Sequence, residues 1–119
     1  MPKISIFHHK PEQVDIESAQ NYLELLFPEP EAAEFAEKLK NAKITVKKAK
    51  DIMRASELDL LPMENPDVND NIHKARKKQK MSPIILVRGH GKLIVADGFH
   101  RLCAAYYLGE EIEIPCLLV

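Results

Sequence analysis

The sequence predicts a mixed α/β fold: a small sheet covered by helices, with a helical extension at the N-terminal end. Three observations predict it. Two apolar runs, "PIILV" and "KLIVA", are joined by Gly89-His90-Gly91, which reads as a strand hairpin. Apolar residues in the first half recur every three or four positions, as a helix face requires. At "ADGFHR" an apolar run gives way to a helical pattern that Gly109 stops, and "EIPCLLV" closes the chain as a strand.

Taken in order, "KISIF" alternates polar and apolar residues and predicts a short strand or extended arm. From about Pro11, Val14, Ile16, Ala19, Tyr22, Leu23, Leu26 and Phe27 form one helical stripe, which "FPEPE" ends. Pro30 opens a second helix with Glu29, Glu31 and Glu34 near its positive end and a stripe of Ala32, Phe35, Ala36 and Leu39. Residues 11–41 therefore read as a helical hairpin that packs on something or pairs two copies of the chain. "KITV" predicts a strand, and "VKKAKDIMRAS" a helix with Val46, Ala49, Ile52 and Met53 on one face. After a loop punctuated by Pro62 and Pro66, Asn65 or Asp67 caps a helix that turns Val68, Ile72 and Ala75 inward. The two runs of the hairpin are nearly continuous, so both faces of those strands are expected to be buried. The boundaries that follow are 1–42 for the arm and helical extension and 43–119 for the α/β part.

The chain has 119 residues, 45% hydrophobic and 29% charged, with a formal net charge of −1. That composition belongs to a globular domain. So small a charge gives no global field that would recruit nucleic acid or an acidic membrane, so such binding needs a local patch. No apolar run is long enough to cross a bilayer, and "MPKISIFHHKPEQ" lacks the form of a signal peptide, so a cytoplasmic location is expected. Cys103 and Cys116 lie far from a CxxC spacing and read as buried hydrophobes.

The chemistry concentrates at Asp97, Gly98, His100 and Arg101. Gly98 permits backbone angles closed to other residues and lets a ligand approach the main chain. The first amides of the helix have no partner within it and carry partial positive charge, which favours an anion. Arg101 adds a guanidinium for two phosphate oxygens and His100 a second donor. The same residues also fit a plain helix start, with Asp97 as cap and His100 and Arg101 on the surface, the arginine paired with Asp97.

The stretch "PIILVRGHGKLIVADGFHRLCAAYYLGEEIEIPCLLV" resembles the core of the ParB/sulfiredoxin superfamily, most specifically in "DGFHRLCAAYYLG" and "IPCLLV". The resemblance spans about residues 43–119. It implies a nucleotide-binding fold in which Gly98, His100 and Arg101 contact phosphates, with Asp97 just before them. The nucleotide implied is ATP, ADP or CTP. Sulfiredoxins carry a catalytic cysteine in this turn; Phe99 stands there, which excludes sulfinic acid reduction. Aligned apolar positions place Asp67, Asp70 and Lys74 where those enzymes hold ATP with a lysine and hydroxyl residues. The chain ends at Val119, without the helix-turn-helix domain of ParB-type partition proteins. The "DGFHR" form is similar to members that act as small-molecule kinases with Mg²⁺, which makes Asp97 a candidate catalytic residue and Mg²⁺ ligand. Glu57 and Glu64 are further candidates for a base. The expectation is therefore a nucleotide-dependent phosphotransferase or, alternatively, a non-catalytic nucleotide-sensing or nucleic-acid-associated module acting through a partner or a homodimer built on residues 11–41.

Two charged features stand apart from that turn. "KARKKQK" reads first as a solvated helix end and second as a contact for nucleic-acid phosphates. His8 and His9 are adjacent, and in an extended strand they point to opposite faces, which does not suit one metal.

Overall fold

The structure is a computed structural model that describes residues 6–119. The strand or arm expected for "KISIF" therefore falls largely outside the described residues. The elements are helix α1 (Gln13–Leu26), helix α2 (Glu29–Asn41), strand β1 (Thr45–Lys48), helix α3 (Ala49–Ser56), helix α4 (Pro66–Arg76), strands β2 (Ile84–Arg88) and β3 (Leu93–Asp97), helix α5 (Phe99–Leu108) and strand β4 (Glu113–Leu118). The fold is mixed α/β, as the sequence predicts.

The sheet order is β1-β4-β2-β3. β4 pairs antiparallel with β1 and parallel with β2, and β2 pairs antiparallel with β3. Alternation sorts the central strand: Ile84 and Leu86 join the cluster containing α3, α4 and α5, whereas Ile85 and Val87 join the cluster containing α1 and α2. Both sheet faces are therefore covered, which is why β2 is a continuous apolar run. Ile16, Ala19, Leu23, Ala32, Ala36 and Leu39 of the helical hairpin share a core with Ile85, Val87, Ala96 and Leu117. The sheet itself covers the inner part of the apolar stripe of residues 11–41.

Two local expectations need correction. Val14, Tyr22 and Leu26 are exposed, because one sheet face covers only the Ile16–Ala19–Leu23 line of α1. Val46 lies in β1 rather than on α3, since pairing with β4 holds the chain extended up to Lys48. Asn65, not Asp67, caps α4: its side chain accepts from the amides of Asp67 and Val68 at 3.0 and 3.2 Å. A cap of this type contributes about 1 kcal/mol. Cys103 and Cys116 are both buried and unpaired. Burial pushes both thiols up, Cys116 to about 11, so neither is an activated thiolate. Among the described residues no helix is long and apolar enough to cross a membrane.

Candidate functional site

The β3–α5 turn is shaped by a bulge and a glycine. Ile85 pairs with Asp97 while Leu86 pairs with Val95, which leaves Ala96 as an extra residue just before the turn. A bulge bends its strand and re-aims the side chains beside it. Gly98 then takes φ +97°, in the left-handed region. A Cβ there would sit 2.6 Å from Ile84 Cγ2 and 2.9 Å from Arg101 Nη2, so the site requires glycine. The amide of Leu102 is the first to bond back, to the Gly98 carbonyl at 2.9 Å, and no side chain caps the start of α5. The amides of the first turn are left facing outward.

The arginine of this turn is not a surface residue. Arg101 Nη2 donates to Asp97 Oδ2 at 3.0 Å and to the Pro83 carbonyl at 3.1 Å, and its side chain is 18% exposed. A second carboxylate approaches the same guanidinium: Asp15 Oδ1, from α1, lies 4.0 Å from Nη2. Asp15 Oδ2 and Arg101 Nε are both buried without a hydrogen-bond partner. Burial raises the Asp97 carboxyl above its ordinary 3.8, against the opposing pull of Arg101; the charge of Asp15 adds to the rise, and a bond with the Ser18 hydroxyl opposes it.

His100 and Lys74 face the solvent side of the turn. They line a cleft of about 270 Å³ together with Asp67, Asp70, Asn71, Asp97, Gly98 and Arg101. α4 thus supplies one wall and the start of α5 the other, which brings Asp67, Asp70 and Lys74 beside the Gly98 turn. Lys74 Nζ is 3.1 Å from Asp70 Oδ2, and His100 Nε2 is 3.8 Å from Asp67 Oδ2. Both pairs are exposed, so each holds its partner weakly and can exchange it for a ligand oxygen. Asn71, Lys74 and Arg101 also border a second cavity of about 250 Å³, completed by His8, Glu12, Lys80, Met81 and Ser82.

Sequence reasoning missed Asp15, Ser18, Asn71 and the Pro83 carbonyl. Asp15 had a signal. It falls next to Ile16 and four positions before Ala19, on the buried line of α1, where a carboxylate needs a cation. Glu57 and Glu64 do not reach the cleft. Glu57 ends α3 in a left-handed conformation and lines a separate depression of about 480 Å³ with Lys50, Asp51, Arg54 and Tyr106. That depression is larger, and Arg54 pairs there with Asp51 at 3.6 Å. Among the described residues no group of three or more His, Cys, Asp or Glu side chains is arranged to hold a metal ion.

Comparison with family models, curated proteins and solved structures returns no match, so the cleft is interpreted from its own chemistry.

Proposed function

We propose that this chain is a nucleotide-binding domain of ParB/sulfiredoxin type, and that the cleft between α4 and α5 holds the phosphates of its ligand. One observation carries the reading: an uncapped helix start, opened by a glycine with no alternative, meets an exchangeable lysine and an exchangeable histidine in the same cleft. Outward amides supply fixed partial charge, and Lys74 and His100 supply donors that reach the same volume. Arg101 has a different part. Bonded to Asp97 and to the Pro83 carbonyl, it fixes the turn that forms this side of the cleft.

This engagement of Asp97 favours a nucleotide-sensing module over a phosphotransferase, because a carboxylate held by arginine is poorly placed to take a proton from an acceptor. The phosphotransferase reading rests instead on Asp67 and Asp70. Two exposed carboxylates beside a phosphate site repel the ligand unless a cation stands between them, and Mg²⁺ takes one or two carboxylates along with substrate phosphates.

The test is calorimetric titration of ATP, ADP, CTP and inorganic phosphate, each with and without Mg²⁺. Lys74→Ala and His100→Ala should each weaken binding by roughly 1.5–3 kcal/mol, the range for hydrogen bonds to charged groups. Unchanged affinity in both variants would remove the cleft as the phosphate site. Affinity that rises with Mg²⁺, and loses that rise in Asp67→Asn/Asp70→Asn, would select the phosphotransferase.

A further inference from the structure

The segment after α4 ends on a structural anomaly. The amide of Gln79 bonds to the Lys74 carbonyl at 2.9 Å and that of Lys78 to the Ala75 carbonyl at 3.0 Å, a Schellman closure of the helix. Its left-handed position, which glycine or asparagine normally fills, holds Lys78 at φ +65°. A long side chain kept where its Cβ is strained calls for a use.

The N-terminal arm lies against the same segment. Phe7 forms a parallel bridge with Met81, the His8 amide donates to the Met81 carbonyl at 3.0 Å, and the Met81 amide donates to the Ile6 carbonyl at 2.9 Å. Because the pairing is parallel, it carries the arm past Met81 toward Ile84, and the basic surface is built by the end of α4 and the chain beyond it. Arg76 ends α4, and Lys77, Lys78 and Lys80 follow it. All four are exposed, and none forms an ion pair among the described residues. The nearby Asp70 is engaged by Lys74.

The near-neutral net charge hides this concentration because much of the compensating acid is elsewhere, although one N-terminal carboxylate, Glu12, lines a cavity with Lys80. Between Gln13 and Asn41 the chain carries seven carboxylates and two lysines, and that hairpin covers the opposite face of the sheet from α4. Charges separated by more than a Debye length, about 8–10 Å, do not cancel each other's local field.

We propose that this surface binds the phosphate backbone of a duplex nucleic acid without reading its sequence. A duplex fits better than a single strand, because none of the chain's four phenylalanines or three tyrosines falls within "ARKKQK" to stack on an unpaired base. Lysine predominates, which suits point contacts to phosphate rather than bidentate readout of base edges. The surface does not require a nucleotide to occupy the α4–α5 cleft.

The experiment is fluorescence anisotropy with labelled DNA and RNA duplexes of random sequence, titrated with the intact chain from about 50 to 200 mM salt. Binding at the low end is expected, with log affinity falling against log salt at a slope of roughly −3 to −3.6, since each neutralised phosphate contributes about −0.9. Lys77→Glu/Lys78→Glu/Lys80→Glu should lower affinity at least tenfold and flatten the slope. The exposed, unpaired side chains make this variant safe for folding, and circular dichroism checks it. His100→Ala should leave duplex affinity unchanged, so failure of the nucleotide reading and failure of this one show up separately. Tighter binding to one duplex identifies which backbone is held. Absence of binding at low salt, equal affinity in the triple variant, or equally tight binding of poly-glutamate would each overturn the proposal.

Discussion

Asp15 in α1 and Arg101 in α5 stand 4.0 Å apart at the point where Arg101 also holds Asp97 at 3.0 Å, so one guanidinium serves two carboxylates from different layers of the fold. The three side chains are between 13 and 18% exposed. The contact ties the helical hairpin to the floor of the cleft, and it leaves Asp15 Oδ2 and Arg101 Nε unpartnered. Such an arrangement stabilises little as a whole, yet it is costly to break from one side.

Arg101→Ala should therefore act on folding before it acts on binding. Removing the guanidinium strands Asp97 and Asp15 together and should lower stability by roughly 3 kcal/mol, toward the lower end for breaking a buried pair because some solvent reaches this one. Urea unfolding measures it. A loss below about 1 kcal/mol would mean that the pair is not sequestered, and Arg101 would return to the role of a surface phosphate ligand. In Arg101→Ala combined with Asp15→Asn and Asp97→Asn, much of the lost stability should reappear, since no uncompensated charge remains.

The same cluster sets a pH dependence. Burial lifts the Asp97 carboxyl above 3.8, so the folded chain binds that proton more tightly than the unfolded chain does. The contribution of this group is fully present below 3.8 and is lost as pH rises through the raised folded value. Glu111, exposed and lowered to about 2 by Lys48 and Lys50, works in the opposite direction and at lower pH. Stability of wild type minus that of Asp97→Asn, followed upward from 3.8, isolates the first effect. The difference should fall with rising pH. A difference that grows would show that pairing with Arg101 outweighs burial.

Much of the fold follows from patterns the sequence displays openly. Gly98 and Gly109 bracket α5, and the two apolar runs around Gly89-His90-Gly91 define β2 and β3, because backbone freedom and two-sided burial leave marks in residue type. From residue type and spacing alone the site was legible only along its own segment; Asp67, Asp70 and Lys74 came from the aligned apolar positions. Gly98, His100 and Arg101 announce a helix start, but whether arginine turns out to a ligand or in to a carboxylate depends on Asp15, some 86 positions earlier, and on Pro83. The stripe of α1 was read too wide for a related reason: spacing shows which residues share a face, but not how much of that face the sheet covers.

The strain at Lys78 gives a test in which stability and binding move in opposite directions. A non-glycine residue in the left-handed region costs roughly 1–2 kcal/mol, and Lys78 occupies the position where a Schellman closure favours glycine. Lys78→Gly removes the Cβ conflict while leaving both backbone bonds in place. Part of the gain is offset because glycine makes the unfolded chain more flexible, so the net stabilisation should be about 0.5–1 kcal/mol by urea unfolding. The lysine also contributes a charge to the basic surface shared with Arg76, Lys77 and Lys80. Duplex affinity should therefore fall in the same variant, with the salt slope shallower by about 0.9 for one phosphate contact. If glycine stabilises the chain and leaves duplex binding untouched, Lys78 points away from the nucleic acid and the contact surface has to be redrawn around Arg76, Lys77 and Lys80. A variant no more stable than wild type would show that the left-handed turn relaxes at little cost, and the strain would then no longer be a reason to assign Lys78 a function.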